Sequence, residues 1–172
     1  MKRKIQKGVN IMHYPLRYIE WSEDKQRELG RIHEYPSMHS DELFVHKLVD
    51  AIKLNHRIWV HISHESENTG QHIVYARPFA EELPYPYQKS LARTITGQKD
   101  YPSSLQPEYW VWNGDSFERI SGYDYSMAAL DIARRLLDHY WVENGVTYDM
   151  LYTVLDADRQ KVMFFLSEVR HG

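Results

Sequence analysis

The sequence predicts an α+β fold: one domain in which a mixed or antiparallel sheet of about six strands is packed by two main helices. Three observations carry that prediction. Two stretches, 41–54 and 127–143, place apolar residues at three- and four-residue spacing. Each is followed by two segments of alternating or apolar character joined by a polar turn, 57–64 with 71–77 and 148–155 with 160–169. A third hairpin over 109–120 turns at Asn113-Gly114, the strongest short-range hairpin signal. Segments 40–77 and 126–169 thus share a plan of capped helix then hairpin, although their residues do not align as a repeat. Two such units side by side imply helices on one face of the sheet.

The chain of 172 residues is long enough to bury a core, and 42% apolar with 26% charged residues is ordinary for a globular protein. Thirteen Tyr and five Trp make it aromatic-rich, which favours sheet and supplies interface anchors. The absence of cysteine excludes disulfides, thiol nucleophiles and Cys-ligated metals. A net charge of −3 gives the whole molecule no polyanion preference. No apolar run reaches membrane-spanning length and no secretion signal is read at the start, so the expected location is cytoplasmic.

Taken in order, residues 1–10 form a basic tail, with Lys2, Arg3, Lys4 and Lys7 and no acidic residue; 11–172 is the single domain. In 11–21, Tyr14, Leu16 and Tyr18 alternate around Pro15, which suits an edge strand. Ser22 would cap a short polar helix over 23–33 that buries only Leu29 and Ile32. Ser40 opens the first main helix, with Phe44, Leu48 and Ile52 as its core row and Glu42, His46 and Asp50 on the opposite side. The hairpin after it takes the register Ile62 to Val74 and Val60 to Ala76, which also sets His64 opposite His72 and Trp59 opposite Arg77.

Residues 78–108 are an irregular Pro- and Tyr-rich excursion with one helix, where Tyr87, Leu91 and Ile95 share a face and Gly97 stops it. The second main helix starts at Ser126, presents Leu130, Ala133, Leu137, Tyr140 and Trp141 to the core, and ends at Gly145. Asp156-Ala157-Asp158-Arg159 reads as turn chemistry.

No phosphate-binding glycine loop or nucleophile elbow is present, and no residue set identifies a catalytic centre, metal or cofactor. The function expected is therefore a small binding or regulatory module acting through protein–protein contact, as a homodimer or with another protein. Its contact residues would be Tyr85, Tyr87, Tyr101 and whichever of Trp110 and Trp112 is exposed. One alternative is a nucleic-acid-binding accessory protein using the basic tail and the strand aromatics Trp59, Trp110 and Trp112, near Arg57, Arg77, Arg93 and Lys99. The other is a hydrolase or metal enzyme built on the polar pair His64 and His72, or on Glu42, His46 and Asp50.

Overall fold

The computed structural model describes residues 12–99, 104–121 and 126–170. It is an α+β fold with three helices and one ten-stranded mixed sheet, larger than the six strands expected. The first unit contains β1 (His13–Ser22), β2 (Arg27–His39), α1 (Ser40–Leu48), β3 (Ala51–Leu54), β4 (Arg57–Ser66) and β5 (His72–Pro78). A connecting helix, α2 (Tyr87–Gly97), leads to the second unit. That unit has β6 (Gln106–Trp112), β7 (Phe117–Arg119), α3 (Ala129–Leu136), β8 (Tyr140–Glu143), β9 (Val146–Asp156) and β10 (Lys161–Glu168). No helix among the described residues is long and apolar enough to cross a membrane.

The helix–hairpin echo in the sequence is part of a larger one. The strand order is β2-β1-β5-β4-β3-β9-β10-β6-β7, with β8 paired to β9. Within the first unit β1 runs parallel to β5, and β1–β2, β3–β4 and β4–β5 are antiparallel. The second unit repeats this: β6 is parallel to β10, and β6–β7, β8–β9 and β9–β10 are antiparallel. Each unit is therefore β-β-α-β-β-β with the same internal strand order.

The units join where β3 pairs in parallel with Val154–Asp156 of β9. Strand β8 takes Val146–Asp149 of the same strand, and β10 occupies its other edge. Hence β3 and β8 lie end to end along one edge of β9 and run in opposite directions.

The extra strands come from stretches that read as helix. Residues 27–33 belong to β2: Gln26 at φ 48° closes the β1–β2 hairpin, and a segment with so few apolar residues pairs as an outer strand. Strand β1 is then flanked by β2 and β5 and is not an edge. Pro15 is accommodated because the register jumps between Tyr14 and Leu16, at a bulge where a ladder N–H is not needed.

Helix α1 stops at Leu48, because Ala51, Ile52, Lys53 and Leu54 are all buried in a central strand with core on both faces. Val49, at φ −69° and ψ 151°, is already extended. The expected helix faces are also exchanged: Phe44 is 51% exposed, whereas His46 points inward with Leu43 and Val45. Asp50 lies beyond the helix and accepts from the Thr153 N–H and hydroxyl, so no Glu42–His46–Asp50 row forms. Likewise α3 ends at Leu136, leaves Leu137 exposed, and gives Tyr140 and Trp141 to β8. The N-caps are His39, whose Nδ1 accepts from the Asp41 N–H at 3.2 Å, and Ala128, in place of Ser40 and Ser126.

Helices cover both faces of the sheet, and not one as expected. On one face α1 and α3 pack over Tyr18, Ile52, Leu155, Phe164 and Leu166. On the other, Leu91 and Ile95 of α2 pack over Val60, Tyr152, Val154, Met163 and Phe165. Alternate residues of β9 and β10 feed the two clusters, so both strands are buried on both sides and read as continuous apolar runs.

Candidate functional site

The aromatic residues singled out in the sequence meet where the start of α2 faces the β6–β7 hairpin. Tyr87 packs edge-on against Trp112, with ring centroids 5.1 Å apart, and Trp112 packs against Phe117 at 5.3 Å. Ser90 anchors the helix to the hairpin by accepting from the Phe117 N–H at 2.9 Å. The turn is held locally: Asn113 Oδ1 accepts from the N–H groups of Asp115 and Ser116, both at 2.9 Å.

Between these elements lies a groove of about 230 Å³ lined by Tyr85, Pro86, Lys89, Ser90, Arg93, Trp112, Gly114 and Asp115. Tyr85 stands 93% exposed at its mouth. Lys89 and Arg93, one helical turn apart, are exposed and form no side-chain ion pair or hydrogen bond among the described residues. By contrast, Arg77 grips Glu82 at 2.8 Å, and Arg57 stacks 4.8 Å over Trp59.

Of the expected contact residues, Tyr85, Tyr87 and Trp112 are thus brought together. Trp110 is buried on the α2 face, its indole N–H 3.4 Å from Glu108, so it offers no contact surface. Tyr101 and the basic residues Lys2, Arg3, Lys4 and Lys7 lie outside the described residues. Trp59, like Trp110, is buried, so the three strand tryptophans do not make a continuous exposed platform.

His64 and His72 are not opposite one another. A bulge at Ile62 shifts the register, so His64 faces Val74 and His72 faces Ser66. His72 instead joins Lys47 and Ser66. Lys47 Nζ lies 2.8 Å from Ser66 Oγ and 2.8 Å from His72 Nδ1, and Ser66 Oγ lies 2.9 Å from the same Nδ1. Burial, and then the Lys47 ammonium, hold the His72 imidazole below its usual pKa, and burial also lowers that of Lys47. Among the described residues no group of three or more His, Asp or Glu side chains is placed to hold a metal ion.

Two polar arrangements were invisible in the sequence because their members are distant along the chain. The first is a Tyr–His cluster under α1. Tyr18 Oη lies 2.8 Å from His46 Nδ1, Tyr35 packs 5.0 Å from His46, and His61 lies 5.6 Å from Tyr18. Burial pushes His46 down to about 3 and His61 down to about 4, with neighbouring imidazoles adding to both shifts. Both ring nitrogens of His61 are buried without a hydrogen-bond partner; the Val49 carbonyl raises its pKa only partly and lies outside bonding geometry.

The second is a buried ion network around the β9–β10 turn. Arg159, 2% exposed, donates from both terminal nitrogens to Glu108 at 2.9 and 3.0 Å and from Nε to Asp156 at 2.6 Å. Lys53 Nζ lies 3.2 Å from Asp156, and Arg119 approaches Glu108 to 3.8 Å. Asp156 and Arg159 are therefore core electrostatics as well as turn residues. The local turn bond is made by Asp156, whose Oδ1 accepts from the Arg159 N–H at 3.2 Å, while Asp158 reaches the β3–β4 turn of the other unit and accepts from the N–H groups of Asn55 and His56 at 2.8 and 2.9 Å.

No protein-family model matches this chain, and neither a curated protein nor a solved structure matches it.

Proposed function

We propose that the protein is a binding module acting through protein–protein contact, and that its contact surface is the groove between α2 and the β6–β7 hairpin. The observation that carries the proposal is the 93% exposed Tyr85 beside Trp112, with Lys89 and Arg93 unpaired among the described residues. Tyr, Trp and Arg are the residues that dominate interface energetics, because they combine large contact area with a polar handle. Two free cations against the single carboxylate of Asp115 favour a partner segment with acidic side chains flanking an apolar or aromatic anchor. The groove is the size of one or two side chains, which suits an extended polypeptide segment or a loop of a second copy of this chain.

Selection from a library of displayed random peptides tests the reading. Acidic peptides with an aromatic residue should be enriched, and Tyr85→Ala or Trp112→Ala should each weaken their binding at least tenfold. Lys89→Glu with Arg93→Glu should reverse the charge preference. Failure to enrich any sequence class, or enrichment indifferent to all four substitutions, would refute the assignment. Sedimentation of the same variants reports whether a second copy is the partner.

A further inference from the structure

We propose that Ser66 is a nucleophilic serine, activated by His72 and Lys47, that accepts an acyl group from small unhindered esters. Three elements converge to make the arrangement: the last turn of α1, the end of β4 and the start of β5. The three polar atoms form a closed triangle with sides of 2.8, 2.8 and 2.9 Å. The imidazole is fixed from its other side by the edge-on ring of Tyr14, 5.1 Å away.

The triangle contains no carboxylate, and that decides its chemistry. A surface lysine ordinarily meets an acidic side chain, and two glutamates, Glu65 and Glu67, flank Ser66 in the chain. Glu65, however, is taken by the Tyr75 hydroxyl at 2.9 Å and Glu67 by Thr69 at 3.2 Å. Lys47 Nζ is left with the Ser66 hydroxyl, the His72 imidazole and the Glu65 carbonyl.

Its positive charge acts on the other two groups in a useful direction. It stabilises negative charge developing on Ser66 Oγ, and it keeps His72 neutral and so unprotonated at neutral pH, although as a weaker base. Since Ser66 stands exposed at the end of β4, substrates without bulk at the carbonyl are expected to react best.

In the first step Ser66 Oγ bonds to the ester carbonyl carbon while its proton passes to His72 Nδ1. The tetrahedral adduct collapses, the ester C–O bond breaks, and the departing alkoxide takes the proton back. Water then adds to the acyl carbon and gives a proton to Nδ1. Breakage of the Ser66 ester, with that proton returned to Oγ, releases the acid. The sum is ester hydrolysis, with no oxidant or co-reactant needed.

A fluorophosphonate probe tests the nucleophile directly, since Oγ displaces fluoride and leaves a stable adduct. Intact mass and peptide mapping of the full chain should show one phosphonyl group, on Ser66, and none in Ser66→Ala. Labelling should fall at least tenfold in His72→Gln and in Lys47→Met, and recover in part in Lys47→Arg, which keeps the cation. With pH it should rise with a midpoint below the usual imidazole range. Circular dichroism on each variant separates loss of reactivity from loss of fold. An unlabelled wild type, a label on another residue, or rates unchanged in the Lys47 and His72 variants would overturn the proposal.

Discussion

Acid should unfold this protein through its first unit, because two imidazoles are buried there in the neutral form. His46 and His61 titrate at about 3 and about 4 in the folded chain, against roughly 6.5 in an unfolded one. Their folded pKa values are depressed, so between pH 6.5 and about 4 the unfolded state binds protons that the folded state refuses. Stability therefore rises with pH across that window, is fully present above it, and is lost as pH falls. Each histidine contributes up to about 1.4 kcal/mol per pH unit, and the pair up to about 2.7 kcal/mol per unit. By pH 4.5 the loss approaches ~5 kcal/mol, comparable with the whole stability of a modest domain.

The assay is urea denaturation followed by tryptophan fluorescence at half-unit steps from pH 8 to 4.5. His61→Phe provides the internal control. Neither His61 nitrogen has a hydrogen-bond partner, so a ring of similar shape removes a buried polar group at little cost near pH 7. The variant should keep wild-type stability there and show about half the acid slope. His33 and His64 also lie close enough to depress His46 and His61 respectively, so removing either would shift the window without abolishing it. A stability profile flat from pH 7 to 5, or a slope unchanged in His61→Phe, would refute the reasoning.

Two further substitutions test the core. Arg159→Met removes both guanidinium bonds to Glu108, leaving it the Trp110 indole N–H at 3.4 Å and Arg119 at 3.8 Å, and takes one of two side-chain cations from Asp156; it should lose about 3–5 kcal/mol, seen as a fall of roughly 6–20 °C in Tm for a chain of this size. A change under ~1 kcal/mol would mean that the network is solvated and not buried. Tyr152→Phe removes a buried hydroxyl that lacks a partner, so its denaturation midpoint should stay the same or rise by up to about 1 kcal/mol of stability.

The hairpins and α2 were legible because their signals are local. Asn113 Oδ1 makes the β6–β7 turn with its own neighbours, and Tyr87, Leu91 and Ile95 mark α2 whatever lies around it. The ends of α1 and α3 were not. Val49, Ala51, Ile52 and Leu54 satisfy a helical row as well as a strand, and the choice is made by β4 and β9, the latter about a hundred residues away. Strand β8 has the same ambiguity, with Trp141 buried in either reading. The His64–His72 pairing failed by two residues: Trp59 pairs with Pro78 and not Arg77, already one residue off, and the bulge at Ile62 adds one more.

The site residues divided in the same way. Tyr85 and Tyr87 were singled out by the composition of the Pro- and Tyr-rich 78–108 excursion, and Trp112 by its place in the hairpin that follows. The Lys47–Ser66–His72 triangle needs three elements to meet, and nothing in the sequence spacing announces it.

The two units differ where one strand meets one helix, and this sets which of them responds to acid. The seventh residue of α1 is His46 and the seventh of α3 is Arg135, and each contacts a tyrosine hydroxyl on the first strand of its unit, Tyr18 or Tyr109. In the second unit the guanidinium donates to Tyr109 at 3.0 Å and lies 5.4 Å over Trp141, which stacks on Tyr109 at 4.4 Å. Aromatic faces and a hydroxyl accept that cation without burying it unpaired. In the first unit the equivalent place is wholly enclosed and faces two more imidazoles, so a proton there has no compensating anion. Acid therefore acts on the α1 side of the shared sheet and leaves the α3 side intact. Hydrogen exchange at pH 5 should accordingly lose protection in β1, α1 and β4 before it loses any in β6, α3 and β10.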